Sequence, residues 1–439
     1  MQTRRQNNYS PEVNKDRIRL RTLFAILSGP FLFVGVEGED RSMNKRFIIV
    51  LIAFMNMIVP LSLDMYLPAV PHMTAAFNTT ESTVNLTLVG FFFFMAIGTL
   101  IFGPLSDKYG RRGLLVAGTL VYTIFSAACA LATSIWLLII ARVLQALGAG
   151  CMVAISTAMI KDCFDRRTRN TILAVVQAMA VIAPMLAPIV GAFIVTHAGW
   201  RATFAVLAVL GAGCTISLVF LKETLAVEDR YTGTLAGSLG LLIDVGRNPG
   251  FTVFLCSAAM LAAPYMGYVA VCSYVYIDFF GLSETSYSYY FAVNSACAIL
   301  GPILYVRLSR RLTPRFMMDL CIVVAAACGV LLLVFGSLLP LAFLLCFLPF
   351  TIIESLLRPM STAVLLNQQE KDTGSASSLI NFVNTVLGSL GMVLAPILSS
   401  NYVHGLGILL VVFALIACAL WIVVIRGLRS GLKGMDSVG

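Results

Sequence analysis

The sequence predicts an all-α polytopic membrane protein with twelve transmembrane helices in two six-helix halves and both termini in the cytoplasm. Three observations predict it. The 439 residues are 59% hydrophobic and only 12% charged, with a mean hydropathy of +0.92, whereas a soluble domain carries about 25% charge. The apolar residues gather into runs of roughly 20, the length that crosses a hydrocarbon core. Lys and Arg punctuate the gaps. From Met43 onward, all but Arg142 and Arg201 fall in the terminal segments or alternate loops that a cytoplasmic N-terminus would place inside.

Taken in order, the apolar segments lie near 47–69, 83–103, 113–133, 135–160, 171–196, 202–221, 251–277, 286–306, 315–336, 338–360, 376–399 and 406–425. Residues 1–42 differ from the rest. They are polar and basic to Arg21, then carry an apolar run, Thr22 to Val36, broken by Ser28, Gly29 and Pro30. That run is short for a span, so 1–42 reads as an N-terminal extension, either part of the native protein or lying upstream of a natural start at Met43. The N-terminal half is 43–222 and the C-terminal half 251–439. The cytoplasmic loop between them, 223–250, carries Leu235, Leu239, Leu242 and Ile243 at helical spacing, which predicts an amphipathic interfacial helix. A faint repeat relates the halves: Gly103-Pro104-Leu105 with Arg111-Arg112 has a worn copy in Gly301-Pro302-Ile303 with Arg310-Arg311. Ala187-Pro188 likewise pairs with Ala395-Pro396.

The net charge of +9 does not indicate nucleic acid, because the basic residues do not cluster on a soluble domain. The 11 Cys scatter through apolar stretches without disulfide or CxxC spacing, and the 3 His show no pairing. No metal site and no cofactor are expected.

The densest polar knot is Gly103-Pro104-Leu105-Ser106-Asp107-Lys108-Tyr109-Gly110-Arg111-Arg112, between segments 2 and 3. Its cations place it on the cytoplasmic side. Asp107 and Arg111 are four apart, close enough to meet on one helical face. This G-x-L-S-D-x-x-G-R-R pattern resembles the loop 2–3 signature of the major facilitator superfamily, and two parallel six-helix halves are what that fold implies. As a latch, Arg111 is expected to reach Asp162 or Asp165 at the end of segment 4, and Asp107 to face the N-terminal end of segment 11.

A charge inside a membrane helix costs about 2.5–3.5 kcal/mol on insertion scales, so the few present are informative. Asp64, in the outer half of segment 1, reads either as a solvated acid ending the helix before Pro68 or as a buried acid facing a central cavity. Burial disfavours the charged form, so the second reading lets it gain and lose a proton at working pH. Arg142, with Gln145 one turn on, reads as a buried cation needing a partner or as an interfacial snorkelling side chain. Glu354 and Arg358 form an intrahelical pair near the cytoplasmic end of segment 10, as gate or packing. Pro184 and Pro188 kink segment 5, and Gly191 admits a close neighbour or serves tight packing.

A-P-x-x-A-P-x-x-G (183–191) and R-x-x-Q-x-x-G-A-G (142–150) resemble the segment 5 and segment 4 signatures of drug:proton antiporters. L-D-M-Y-L-P-A-V-P (63–71), G-W-R-A-T-F (199–204) and D-T-G-S-A-S-S-L (372–379) are similar to the bicyclomycin/chloramphenicol-resistance branch. The resemblance implies a proton-coupled multidrug efflux antiporter, not an enzyme, in the bacterial cytoplasmic (inner) membrane. It would export small apolar or cationic toxic compounds by alternating access, driven by the proton gradient. Asp64 would couple protons. Arg142, Gln145, Asn56, Tyr265, Tyr268 and Asn294 would shape the cavity; some relatives carry a second acid at the Asn56 position. Gly103, Asp107, Gly110, Arg111, Arg112 and Asp162 would gate. The partners are then drugs, protons and the lipid bilayer, with the protein a monomer. The other reading is a proton-coupled transporter for one metabolite such as a sugar, polyamine or amino acid derivative.

Overall fold

The computed structural model describes residues 45–164, 166–226, 228, 230, 240, 243–368 and 373–428. All lie in Met43–Gly439, the second of the two units into which the chain divides, the first being Met1–Ser42. The expectations for residues 1–42, for Asp165 and for the helix around Leu235, Leu239 and Leu242 lie outside the described residues.

The N-terminal group contains α1 (Lys45–Asp64), α2 (Val70–Phe77), α3 (Glu81–Tyr109), α4 (Arg111–Ala130), α5 (Ile135–Cys163), α6 (Arg166–Ala198) and α7 (Trp200–Val219). The C-terminal group contains α8 (Pro249–Ala259), α9 (Ala262–Ser273), α10 (Glu284–Ala298), α11 (Leu300–Leu308), α12 (Pro314–Phe335), α13 (Pro340–Leu366), α14 (Thr373–Leu394) and α15 (Tyr402–Val423). A π-helical turn, Tyr274–Phe279, continues α9.

Among the described residues, 11 stretches are long and apolar enough to cross a membrane. Three of them are interrupted: α1 runs on through α2, α8 through α9, and α10 through α11. The expected fifth segment falls in α6, whose stretch Ile182–Ala198 is a shorter apolar helix. At a rise of about 1.5 Å per residue, the 33 residues of α6 are long enough to span a core of roughly 30 Å.

Side chains at the helix starts explain where the chain turns. Thr80, Ser134, Asn248, Ser283, Thr313 and Asn401 each accept a hydrogen bond from a backbone N–H in the first turn that follows, satisfying a donor that has no partner within the helix. Prolines explain the break between α1 and α2 and the end of α14. Pro68 and Pro71 each enter a first helical turn, of the short 3₁₀ turn Leu67–Ala69 and of α2, where the missing N–H costs nothing. Pro396 follows the end of α14, as the bias against α geometry before proline requires.

The helices pack as two groups. In the first, α3 lies on α5, α4 on α5 and α7, and α1 on α6. In the second, α12 lies on α15 and α13, α9 on α14, and α11 on α13. The groups meet mainly where α6 crosses α10 and where α3 crosses α14. Gly191 of α6 sits against the chain at the end of α1: a Cβ there would collide with the Met65 carbonyl. The A-P-x-x-A-P-x-x-G pattern thus brings α6 onto the backbone beside Asp64.

Candidate functional site

Arg142 is fully buried, so it does not snorkel. Its guanidinium lies 4.2 Å from the Phe91 ring centre, 5.2 Å from that of Tyr66 and 5.5 Å from that of Phe204. Nη1 donates to the Ser62 carbonyl at 3.1 Å and to Gln145 Oε1 at 2.9 Å. Gln145 Nε2 donates to Ser126 Oγ at 2.7 Å, and Ser62 Oγ pairs with Tyr122 Oη at 2.6 Å. Arg142 and Gln145 therefore belong to a polar network inside the N-terminal group, one that fastens α1, α4 and α5. Asn56 does similar work, bonding Ser156 Oγ on α5 at 3.0 Å.

Asp64 is buried, 8% exposed, which removes the interfacial reading. It does not join the Arg142 network. Among the described residues, no hydrogen bond or ion pair engages its carboxylate. Its electrostatic neighbours are Tyr265, Cys272 and Tyr287, all on the other group of helices. Tyr265 also lies within electrostatic reach of Glu354 and Arg358. Glu354, 4% exposed, accepts from Arg358 Nε at 2.7 Å. It sits at the middle of the 27-residue α13, not near a cytoplasmic end. Asp64, Tyr265 and the Glu354–Arg358 pair thus mark one region where α1, α9 and α13 converge.

Two other residues expected at a cavity, Tyr268 and Asn294, lie buried in the C-terminal group. Tyr268 stacks on Phe347, with ring centres 4.3 Å apart, and on Phe291 and Phe343. Asn294 Oδ1 accepts from Thr351 Oγ1 at 2.8 Å, tying α10 to α13.

The 103–112 stretch, expected as a loop, is the end of α3, Gly110 and the start of α4, and it forms a compact charge cluster. Arg111 is 5% exposed. Its guanidinium reaches Asp107 Oδ1 at 2.6 Å, Asp162 Oδ2 at 2.9 Å and Ser106 Oγ at 2.6 Å. Asp107 is half exposed and pairs with Arg111; the side chains at the start of α14, which it was expected to face, lie outside the described residues. Gly110 has φ +98° and separates α3 from α4, a conformation suited to glycine. The loop holds a residue the sequence did not reveal. Glu223, after α7, accepts from the backbone N–H groups of Arg111, at 2.9 Å, and Arg112, at 3.3 Å. Arg112 Nη2 donates to the Val219 carbonyl at 2.8 Å.

Two helical groups with a buried acid at their seam are accompanied by a direct match. The Major Facilitator Superfamily model matches residues 52–392 and 265–436. The chain belongs to the major facilitator superfamily. It is therefore a multi-pass membrane transporter and not an enzyme. An uncharacterized MFS-type transporter of Bacillus subtilis (strain 168), YdgK, is 28% identical over 356 residues, 80% of this chain and 88% of YdgK. A chloramphenicol resistance protein of Pseudomonas aeruginosa is 38% identical over 160 residues, 36% of this chain and 38% of that protein. The multidrug resistance protein MdtL of Escherichia coli O81 (strain ED1a) is 33% identical over 181 residues, 41% of this chain and 46% of MdtL. The matches to these last two thus span less than half of each. Among solved structures, a bacterial homologue of the human lysosomal transporter Spinster, in an inward-facing and occupied conformation, superposes with a TM-score of 0.72. It is 15% identical and covers 90% of this chain and 99% of that one; this likeness shows the fold alone.

Proposed function

We propose that this major facilitator transporter is a proton-coupled multidrug efflux antiporter of the bacterial inner membrane, working as a monomer with both termini in the cytoplasm. It exports small apolar or cationic toxic compounds by alternating access. The observation that carries this reading is Asp64: a buried carboxyl without a cationic partner, at the seam of the two halves, facing Tyr265, Cys272 and Tyr287. An acid so placed is tolerable when protonated and, when ionised, needs a compensating charge. A proton and a cationic compound are then alternative occupants of one site. The named relatives, a chloramphenicol resistance protein and a multidrug resistance protein, support the export direction and the cargo class.

The test is drug-induced proton release from the purified protein in detergent across about pH 6–9, a window suited to raised carboxylates. Asp64→Asn imitates the protonated form permanently. It abolishes proton release and uphill export while drug–drug exchange persists. Parental proton release from Asp64→Asn would move the proton to another group, with Glu354 the first alternative. Absence of resistance to any of a chemically diverse compound panel, in an efflux-deficient host expressing the protein, would overturn the multidrug reading itself.

A further inference from the structure

Helix connectivity places α2 and the start of α10 at the end of the bundle opposite the 103–112 loop. There, two hydrogen bonds among the described residues join the halves. Ser288 Oγ donates to the Pro188 carbonyl at 2.9 Å. His72 Nε2 on α2 lies 2.7 Å from Glu284 Oε1, the first residue of α10 and 212 positions along the chain. The two contacts differ in kind. The serine is buried and carries no titratable group. The His72 and Glu284 side chains are 50% and 24% exposed, so protons reach the imidazole from the surrounding water.

The charged groups around the imidazole share one sign. Glu284 approaches from α10, where a carboxylate in the first helical turn is already favoured by the helix dipole. Asp278, on the π-helical turn Tyr274–Phe279, lies within electrostatic reach of His72. Glu81, the first residue of α3, lies within reach of Asp278. One imidazole therefore faces two carboxylates from two elements of the opposite half, with Glu81 beside one of them.

We propose that His72 and Glu284 form a proton-responsive latch that holds the two halves together at this end. With the imidazole protonated, the contact is a charge-assisted hydrogen bond, and Asp278 attracts the same cation. With it neutral, an ordinary hydrogen bond remains, about half as strong. Acid, which favours the imidazolium form, therefore favours this end closed, and mildly alkaline conditions release it. His72 acts here as a positioning residue: it touches no cargo, and its effect passes through the balance between closed and open. The inference goes beyond drug export, because it needs only that the halves part at this end, whatever compound is carried.

The experiment uses the full chain in lipid nanodiscs. Spin labels are carried on non-canonical amino acids at the exposed positions Ala75 and Thr285, which leaves the 11 native cysteines in place. Pulsed distance measurements then read the closed and open populations. The expected result is a closed-to-open ratio about three- to five-fold higher at acid pH than at alkaline pH, a modest factor because the pair is partly exposed. His72→Gln keeps a hydrogen-bonding group without the titration and flattens that response; Glu284→Gln flattens it from the other side. His72→Lys stays cationic and holds the closed ratio through alkaline pH. A parent ratio indifferent to pH overturns the latch. So does a His72→Gln protein that responds as the parent does, or a His72→Lys protein that opens with rising pH. Each result is independent of whether Asp64→Asn abolishes proton release.

Discussion

The Glu223 carboxylate closes on the backbone N–H of Arg111 at 2.9 Å, across 112 positions of sequence. It also accepts from Arg112 N and from its own following residues, Thr224 and Leu225. Glu223 thereby caps the exposed start of α4 and fixes the end of α7 against the 103–112 loop. A negative group at a helix N-terminus meets both the unpaired N–H groups and the positive end of the helix dipole.

Removing this cap weakens the loop, and the effect depends on pH. Burial pushes the Glu223 carboxyl up, but the backbone N–H groups of Arg111, Leu225, Arg112 and Thr224 outweigh it and hold the carboxyl below its usual range. A depressed carboxyl stabilises the fold fully above the unfolded-state value and loses that contribution as pH falls through the folded one. Glu223→Ala therefore costs about 1 kcal/mol near neutrality. The difference between Glu223→Gln and the parent is constant at neutral pH and closes below about pH 4.3, the ordinary glutamate value. Thermal melting of the detergent-solubilised proteins across pH 3–7 reads it, on the order of the window set by that carboxyl. A gap that widens on acidification would contradict this assignment.

Arg111 separates the structural and the switching parts of the same loop. Asp162 is 13% exposed and its contact with Arg111 is enclosed, whereas Asp107 is 50% exposed. Asp162→Asn leaves a nearly buried guanidinium underpaired and lowers stability by about 1–3 kcal/mol. Asp107→Asn changes stability within about 0.5 kcal/mol, as exposed pairs do, yet slows transport with drug affinity nearly intact. Melting temperature, equilibrium binding and transport rate, measured together on the two variants, check the division. Loss of binding in Asp107→Asn would show that the loop is no latch.

Arg142 organises the interior of its half, and its substitutions rank by geometry. Arg142→Ala leaves the Ser62 carbonyl and Gln145 Oε1 without their donor and empties the space between Tyr66, Phe91 and Phe204. The expected loss is on the order of 3 kcal/mol, from unpaired polar groups together with a cavity. Arg142→Lys retains a donor and a cation but not the planar guanidinium that lies against the Phe91, Tyr66 and Phe204 rings, so it recovers part of the loss. The yield of monodisperse protein and its melting temperature report the order parent, Lys, Ala. A lysine variant as unstable as the alanine variant would remove the cation from the explanation.

Much of this arrangement is legible in the sequence, and what is not has physical causes. The membrane-crossing stretches follow from apolar runs, and the break after Asp64 from Pro68 and Pro71. The separation of Asp64 from the Arg142 network follows from helix periodicity: Ser62 and Asp64 are two residues apart, so about 200° apart around α1. With Ser62 turned to Arg142, Asp64 faces the other half. Glu354 lies at the midpoint of α13 because the helix continues to Leu366, beyond the apolar run that ends near 360, an extension the hydropathy pattern does not show. Glu223 left no local signature, since its partners are backbone groups more than a hundred residues away.

Two glycines of recognisable motifs are expected to answer the same substitution in opposite ways. A Cβ on Gly191 would run into the Met65 carbonyl, and backbone on both sides leaves nothing flexible to yield. A Cβ on Gly103 meets no heavy atom within 4 Å. Gly191→Ala must push α6 away from the end of α1, at a cost of about 1–3 kcal/mol or more, as for overpacking elsewhere. The displaced backbone is the one that carries Asp64, so proton release and transport fall along with stability. Gly103→Ala lies inside α3, where alanine is the better helix former by about 1 kcal/mol, and it leaves folding intact or slightly improved. Melting temperature and drug-induced proton release, read on both variants, form the comparison. If Gly191→Ala folds and releases protons as the parent does, close approach of α6 is not what that motif provides.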